Sequence, residues 1–142
     1  MGHETPVIKF LRKLLNPGDI FIDVGAFIGF YTIYAAKLGA KVVAFEPHPS
    51  SFEILLYNIT LNNLADRITA INKAVGSYKG TLKFKLAFIP SRSSGTDFLN
   101  NDKVVKDIEV PMIDLDSFFE WSTPQQKLNR VPGILYLDTC HT

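Results

Sequence analysis

The spacing of hydrophobic positions changes several times along the chain, and each change marks an element. Val7, Ile8, Leu11, Leu14 and Leu15 recur at helical spacing, with Lys9, Arg12 and Lys13 on the other side. Thr5 and Pro6 suit the cap and first turn of that helix, and Asn16-Pro17-Gly18-Asp19 ends it as a turn. Ile20-Phe21-Ile22-Asp23-Val24 is apolar at all but one position, as expected of a strand buried on both faces. Gly25 to Gly29 reads as a tight loop, Phe30 to Leu38 as a helix stopped by Gly39, and Lys41 to Phe45 as a second strand. Pro49-Ser50-Ser51 opens a helix predicted to reach about Asn62, with Asn63 as its stop, and Arg67 to Asn72 gives a third strand. Strand and helix alternate with short connections, which predicts a parallel sheet with helices on its faces and right-handed crossovers.

After Gly76 the period becomes two. Leu82, Phe84, Leu86 and Phe88 alternate with Lys83 and Lys85, the pattern of an antiparallel strand, and Val104 to Met112 is its expected partner. The segment 90–102 is rich in Ser, Gly and Asn and reads as a loop, either a lid or a plain hairpin connection. Asp116 is the expected cap of a short helix through Trp121, and Ile134 to Leu137 forms a last strand ending at Asp138. The predicted order of the parallel strands is 3-2-1-4, with an antiparallel hairpin inserted, in one partial domain spanning residues 1–142.

Composition bounds the reading without directing it. Of 142 residues 46% are apolar and 20% charged, the balance of a folded globular protein. The net charge of +1 gives no motive for a nucleic-acid or membrane partner, so neither is expected. Cys140 is the single cysteine, so no intrachain disulfide is possible. No apolar run reaches the roughly 18 residues of a membrane span. The first residues match neither a secretory signal nor a myristoylation site, and a cytoplasmic location is the expectation.

The strongest constellation is a strand, then Asp23-x-Gly25-x-x-x-Gly29, a helix, a second strand and Glu46. Glycines at a strand end let the backbone bend and approach a ligand, and the next helix offers unpaired N–H groups. A carboxylate about 20 positions further on suits a ribose diol, because it accepts two hydrogen bonds at once. Nicotinamide dinucleotides and S-adenosyl-L-methionine both carry such a ribose. The loop separates them: Phe27 and Phe30 stand where a dinucleotide fingerprint needs its second and third glycines. S-adenosylmethionine has no pyrophosphate to be approached, so the departure favours it, with a nicotinamide-dependent oxidoreductase as the alternative. Asp23 either caps loop N–H groups or also contacts the cofactor's amino group.

At these motifs the sequence resembles the FkbM-type methyltransferases. The likeness lies in Ile22-Asp23-Val24-Gly25-Ala26-Phe27-Ile28-Gly29-Phe30-Tyr31-Thr32 and in Val43-Ala44-Phe45-Glu46-Pro47-His48-Pro49. It continues through Leu55-Leu56-Tyr57-Asn58 with Leu61-Asn62, Ala74-Val75-Gly76 with Gly80, and Leu115-Asp116. The resemblance implies a Rossmann-like methyltransferase fold and direct displacement of the methyl group from sulfur to an acceptor, usually a hydroxyl of a small molecule or sugar. By that resemblance Asp23 and Gly25, Ala26, Phe27, Gly29 and Thr32 belong to the cofactor set, the loop lining its methionine part. Glu46 would hold the ribose, Pro47 and His48 would lie near the adenine, and Asn72, Lys73 and Ala74 would flank its edge. Asp138 would sit close to the transferred methyl and is the candidate catalytic residue.

This chain departs from the pattern twice. Phe27 replaces the usual Asn, and only Thr139-Cys140-His141-Thr142 follow Asp138, where the family continues. The chain is therefore expected to be cut short, leaving strand 134–138 as an open edge for a homo-oligomer, or leaving a non-catalytic cofactor-binding fragment. The weaker candidates have ordinary readings. His48 is as readily a solvated loop residue, Asn58 and Asn62 bond to nearby loops, Lys83, Lys85 and Arg92 are solvated, and Cys140-His141 lack further metal ligands.

Overall fold

The computed structural model describes residues 5–88, 104–122 and 134–138. Helix α1 covers Pro6–Leu14, with Thr5 as its cap: the Thr5 hydroxyl accepts from the Ile8 N–H at 3.3 Å. Ile8, Leu11 and Leu15 are buried. Leu14, expected on the same face, is exposed, because the helix ends there and Leu15 turns inward from an extended conformation. Strand β1 (Ile20–Val24), helix α2 (Phe30–Lys37), strand β2 (Lys41–Phe45), helix α3 (Pro49–Leu61) and strand β3 (Ile68–Ile71) follow as the periodicity predicts. Asn63 sits at φ 55°, the left-handed geometry that stops α3.

Strand β4 (Ala74–Val75), strands β5 (Gly80–Phe88) and β6 (Val104–Ile113), helix α4 (Leu115–Ser122) and strand β7 (Ile134–Asp138) complete the described elements. The parallel sheet has the order β3-β2-β1-β7, as expected. Its strands are buried on both sides, so successive residues face different layers. Phe21, Val42, Ala44 and Ile68 pack beneath α1, α2 and α3. Ile22, Val24 and Phe45 meet Ile113, Leu115, Phe118 and Phe119, with the Phe118 ring edge-on to Phe45 at 5.3 Å. The architecture is α/β, a parallel sheet with helices on both faces, as the alternation of strand and helix predicts.

The hairpin β5–β6 is antiparallel with Gly80 opposite Met112 and Phe88 opposite Val104. It belongs to a second sheet of order β4-β6-β5, in which Ala74 and Val75 run parallel to Met112 and Ile113. A two-residue strand has no period to read, so β4 was not expected. Leu82, expected on an apolar face, is exposed, and the side chains of Phe84 to Phe88 lie outside the described residues. So do the 90–102 loop, Cys140 and His141. The cap of α4 is Asp114 instead of Asp116: its carboxylate accepts from the Ser117 N–H at 2.8 Å, and its carbonyl from the Phe118 N–H. Both aspartates suit a cap, and the helix starts two residues earlier than Asp116 would allow.

Candidate functional site

The bend after β1 is built from backbone that few residues adopt. Gly25, Phe27 and Gly29 have φ of 74°, 56° and 97°. The N–H groups of Gly25 and Ala26 both donate to the Phe45 carbonyl at the end of β2, at 2.9 and 3.0 Å. Gly29 N–H closes the turn on Ala26 O at 2.9 Å, and Gly29 then caps α2. A β-carbon on Gly29 would come within 2.5 Å of Leu55 Cδ1, so both space and conformation demand glycine there. From α3, Asn58 Nδ2 donates to the Ile28 carbonyl at 2.8 Å, and Asn62 Nδ2 donates to Asn58 O. These are the local loop bonds expected of the two asparagines.

Glu46 faces this bend. Its Oε1 accepts from the Phe27 N–H at 3.2 Å and its Oε2 from the His48 N–H at 3.3 Å. The residue is only 6% exposed. Burial pushes its carboxyl above the ordinary range, while the two N–H donors pull the other way. Each carboxylate oxygen has accepted one bond and retains capacity for another, which is what two ribose hydroxyls require. Asn72 Nδ2 steadies the same corner by donating to the carbonyls of Glu46, at 2.8 Å, and Pro47, at 3.3 Å. That role of Asn72 carried no signal in the sequence.

Asp23 is fully buried on the α2 side of β1. Its Oδ2 accepts from the Thr32 hydroxyl at 2.6 Å, and its Oδ1 has no hydrogen-bond partner among the described residues. Burial raises its pKa to about 6, the Thr32 bond opposes this, and repulsion from Glu46 adds to it. A buried oxygen with unused capacity, next to a second carboxylate, fits a ligand that brings donors and positive charge. Thr32 is itself buried, so its hydroxyl orients Asp23.

The remaining expected residues divide. His48 is half-buried and its Nδ1 accepts from the Ser51 N–H at 3.4 Å, so it caps α3. Pro47 and Lys73 are half-buried beside the Glu46 corner, where Lys73 N–H bonds to Ile71 O and Asn72 holds Pro47 O. The Ala74 methyl is buried with Val110 and Met112 in the second sheet, where Ala74 pairs with Met112. Asp138 pairs in register with Val24, so its backbone lies beside the entry to the glycine bend; its side chain is outside the described residues.

The model of the TRM5/TYW2 methyltransferase domain matches residues 8–111. The chain belongs to this family. S-adenosylmethionine is accordingly the cofactor, in place of a nicotinamide, and the Glu46–Asp23 corner fits it. Relatives include a tRNA (guanine(37)-N(1))-methyltransferase from Aedes aegypti, 39% identical over 61 residues, covering 43% of this chain and 11% of the relative. A ribosomal protein L11 methyltransferase from Carboxydothermus hydrogenoformans is 38% identical over 66 residues, covering 46% and 22%. The chain thus spans less than a quarter of those curated relatives. Among solved structures, Pyrococcus horikoshii TYW2 in complex with MeSAdo gives a TM-score of 0.44 at 33% identity, over 49% of this chain and 28% of that one.

The TRM5/TYW2 match corrects the resemblance to FkbM-type enzymes. The glycine bend and Glu46, among the motifs that carried that resemblance, fall within the residues 8–111 matched here. The tRNA methyltransferase relatives also overturn the expectation of a small-molecule or sugar acceptor and no nucleic acid. Among the described residues strand β7 lies at the edge of the parallel sheet, where the homo-oligomer contact was expected.

Proposed function

We propose that this TRM5/TYW2-type domain binds S-adenosylmethionine at the Gly25–Gly29 bend and serves methyl transfer to a base of tRNA, guanine being the first candidate. The observation that carries it is the Phe27 N–H to Glu46 bond, which joins the bend to a carboxylate still able to accept. Support for the acceptor comes from relatives named for guanine-37 of tRNA and for a tRNA(Phe) aminocarboxypropyl transfer in Pyrococcus horikoshii.

When bound, the cofactor supplies a methyl group on a positively charged sulfur. In this reading Glu46 accepts from the ribose hydroxyls, while Gly25, Ala26 and Gly29 let the methionine part approach the backbone. Pro47, His48, Asn72, Lys73 and the Ala74 backbone frame the adenine. Asp23, oriented by Thr32, answers the positive charge. Transfer to a ring N–H also requires a proton to leave, and Asp138 is the candidate to receive it, since its backbone lies beside Val24. The rest of the chemistry is alignment and exclusion of water.

The test incubates the chain with tRNA and S-adenosylmethionine labelled separately in the methyl and carboxyl groups. Methyl label in RNA is the expected result. Carboxyl label in RNA would assign the aminocarboxypropyl reaction instead. Stabilisation by S-adenosylhomocysteine without label in RNA would remove the acceptor, and stabilisation by NAD alone would remove the cofactor. In a parallel incubation with ribosomal protein L11 in place of tRNA, label in the protein would select the second reading, which the match to ribosomal protein L11 methyltransferase favours.

A further inference from the structure

The net charge of +1 conceals an uneven distribution. Between residues 5 and 83 the carboxylates outside the interior are Asp19, Glu53 and Asp66, because Asp23 and Glu46 are buried. The cations of the same stretch are almost all exposed. Between residues 107 and 119 the charged residues are Asp107, Glu109, Asp114 and Asp116, with no cation among them. In the first stretch the exposed cations thus outnumber the carboxylates outside the interior, whereas Asp107 and Glu109 stand opposite Lys85 and Lys83 in the hairpin register.

The exposed cations of the first stretch have a centre. Backbone bonds tie together the turns that precede β1, β2 and β3: Gly18 N–H to Gly39 O at 2.9 Å, Lys41 N–H to Asp19 O at 2.8 Å, and Val42 N–H to Arg67 O at 2.9 Å. These turns carry Lys41 and Arg67, and the last turns of α1 and α2 bring Lys13 and Lys37 to the same pole. All four side chains are exposed, and none has an ion-pair partner among the described residues. Asp66 adjoins Arg67, while Asp19 is committed to its own turn, accepting from the Asn16 N–H at 2.9 Å. Lys9 continues the basic line one turn up α1.

We propose that this pole, formed by Lys13, Lys37, Lys41 and Arg67, is a docking surface for the phosphate backbone of RNA, separate from the cofactor pocket. The inference rests on the RNA reading above and adds where the nucleic acid is held. The pole lies at the N-terminal ends of the parallel strands, whereas the glycine bend lies at their C-terminal ends. A strand of five residues separates them by roughly 17 Å. An RNA with a base at the pocket reaches that far along its own backbone. Exposed like charges gathered at one end of a sheet favour a polyanion, whose condensed counterions are released on binding.

The experiment measures tRNA binding by fluorescence anisotropy over a range of salt, for the wild-type chain and for Lys13→Gln/Lys41→Gln/Arg67→Gln. The substituted side chains are exposed and far from the pocket, so the melting temperature and the affinity for S-adenosylhomocysteine stay at wild-type values. The expected result is an RNA affinity about tenfold weaker at low salt and a log–log salt slope shallower by about two. Wild-type RNA binding with an unchanged slope in the variant would overturn the surface while leaving the RNA reading intact. A wild-type chain that binds S-adenosylhomocysteine but no tRNA would overturn that reading and the surface with it. Loss of binding to phosphatidylserine vesicles, with tRNA binding retained, would assign the pole to a membrane and overturn the proposal.

Discussion

The backbone N–H of Phe27 donates to Glu46 Oε1 across the gap between two loops, and this bond makes the glycine bend and the carboxylate a single object. Glu46 therefore has two tasks. It fixes the position of the bend, and in the proposed function its remaining lone pairs accept from a ribose. Glu46→Gln keeps the shape but replaces one acceptor oxygen by a donor. Hydrogen bonds to charged groups contribute about 1.5–3 kcal/mol, so the affinity for S-adenosylhomocysteine should fall by about 10- to 100-fold. Calorimetric titration checks this, and an unchanged affinity would detach Glu46 from the cofactor.

Gly29 and Gly18 make a matched pair. Both have left-handed φ, 97° and 89°, but a β-carbon at Gly29 meets Leu55 whereas at Gly18 it meets nothing within 4 Å. Gly18→Ala should cost about 1–2 kcal/mol of backbone strain. Gly29→Ala should add a further 1–3 kcal/mol or so from overpacking. Urea unfolding of the two variants separates these terms, and equal losses would mean that Leu55 moves aside without cost.

Phe27 is the opposite case, a bulky residue at φ 56° with 60% of its surface exposed. Left-handed backbone costs an ordinary residue about 1–2 kcal/mol, and asparagine tolerates it best after glycine. The exposed ring recovers little of that by burial. Phe27→Asn should raise stability by about 1 kcal/mol and keep the N–H bond to Glu46. A thermal unfolding scan reads the shift, and a lowered midpoint would show that the ring has a contact of its own.

The parallel sheet was legible because Ile20-Phe21-Ile22 and Val42-Val43-Ala44 are apolar without a break and glycines punctuate them. The bend and Glu46 were legible because two glycines after a strand and an acidic residue at the end of the next one form a spacing pattern, which pointed to a cofactor class without naming the family. The capping bond from Ser51 N–H to His48 was not legible, because it depends on ring orientation, which spacing does not encode. The Asp23–Thr32 bond crosses from β1 to α2 and emerges only from packing. Whole-chain charge concealed a basic pole because Asp23 and Glu46 count in the sum but do not reach the surface.

Burial of Asp23 has a consequence for pH. Its pKa in the fold is about 6, against 3.8 for the free side chain. The folded state therefore holds the proton more tightly than the unfolded chain. The associated stability is fully present below pH 3.8 and is lost as pH rises through about 6. The size of the effect is about 3 kcal/mol by linkage, and Glu46, raised in the same direction, adds to it. Asp23→Asn removes this titration while leaving an oxygen to accept from Thr32. Urea unfolding between pH 4 and about 8 should show the wild type losing stability across the window. The variant should lose less, so that its advantage grows with pH. Parallel curves for the two proteins would mean that Asp23 is solvated in the fold and that its free oxygen does not await a ligand.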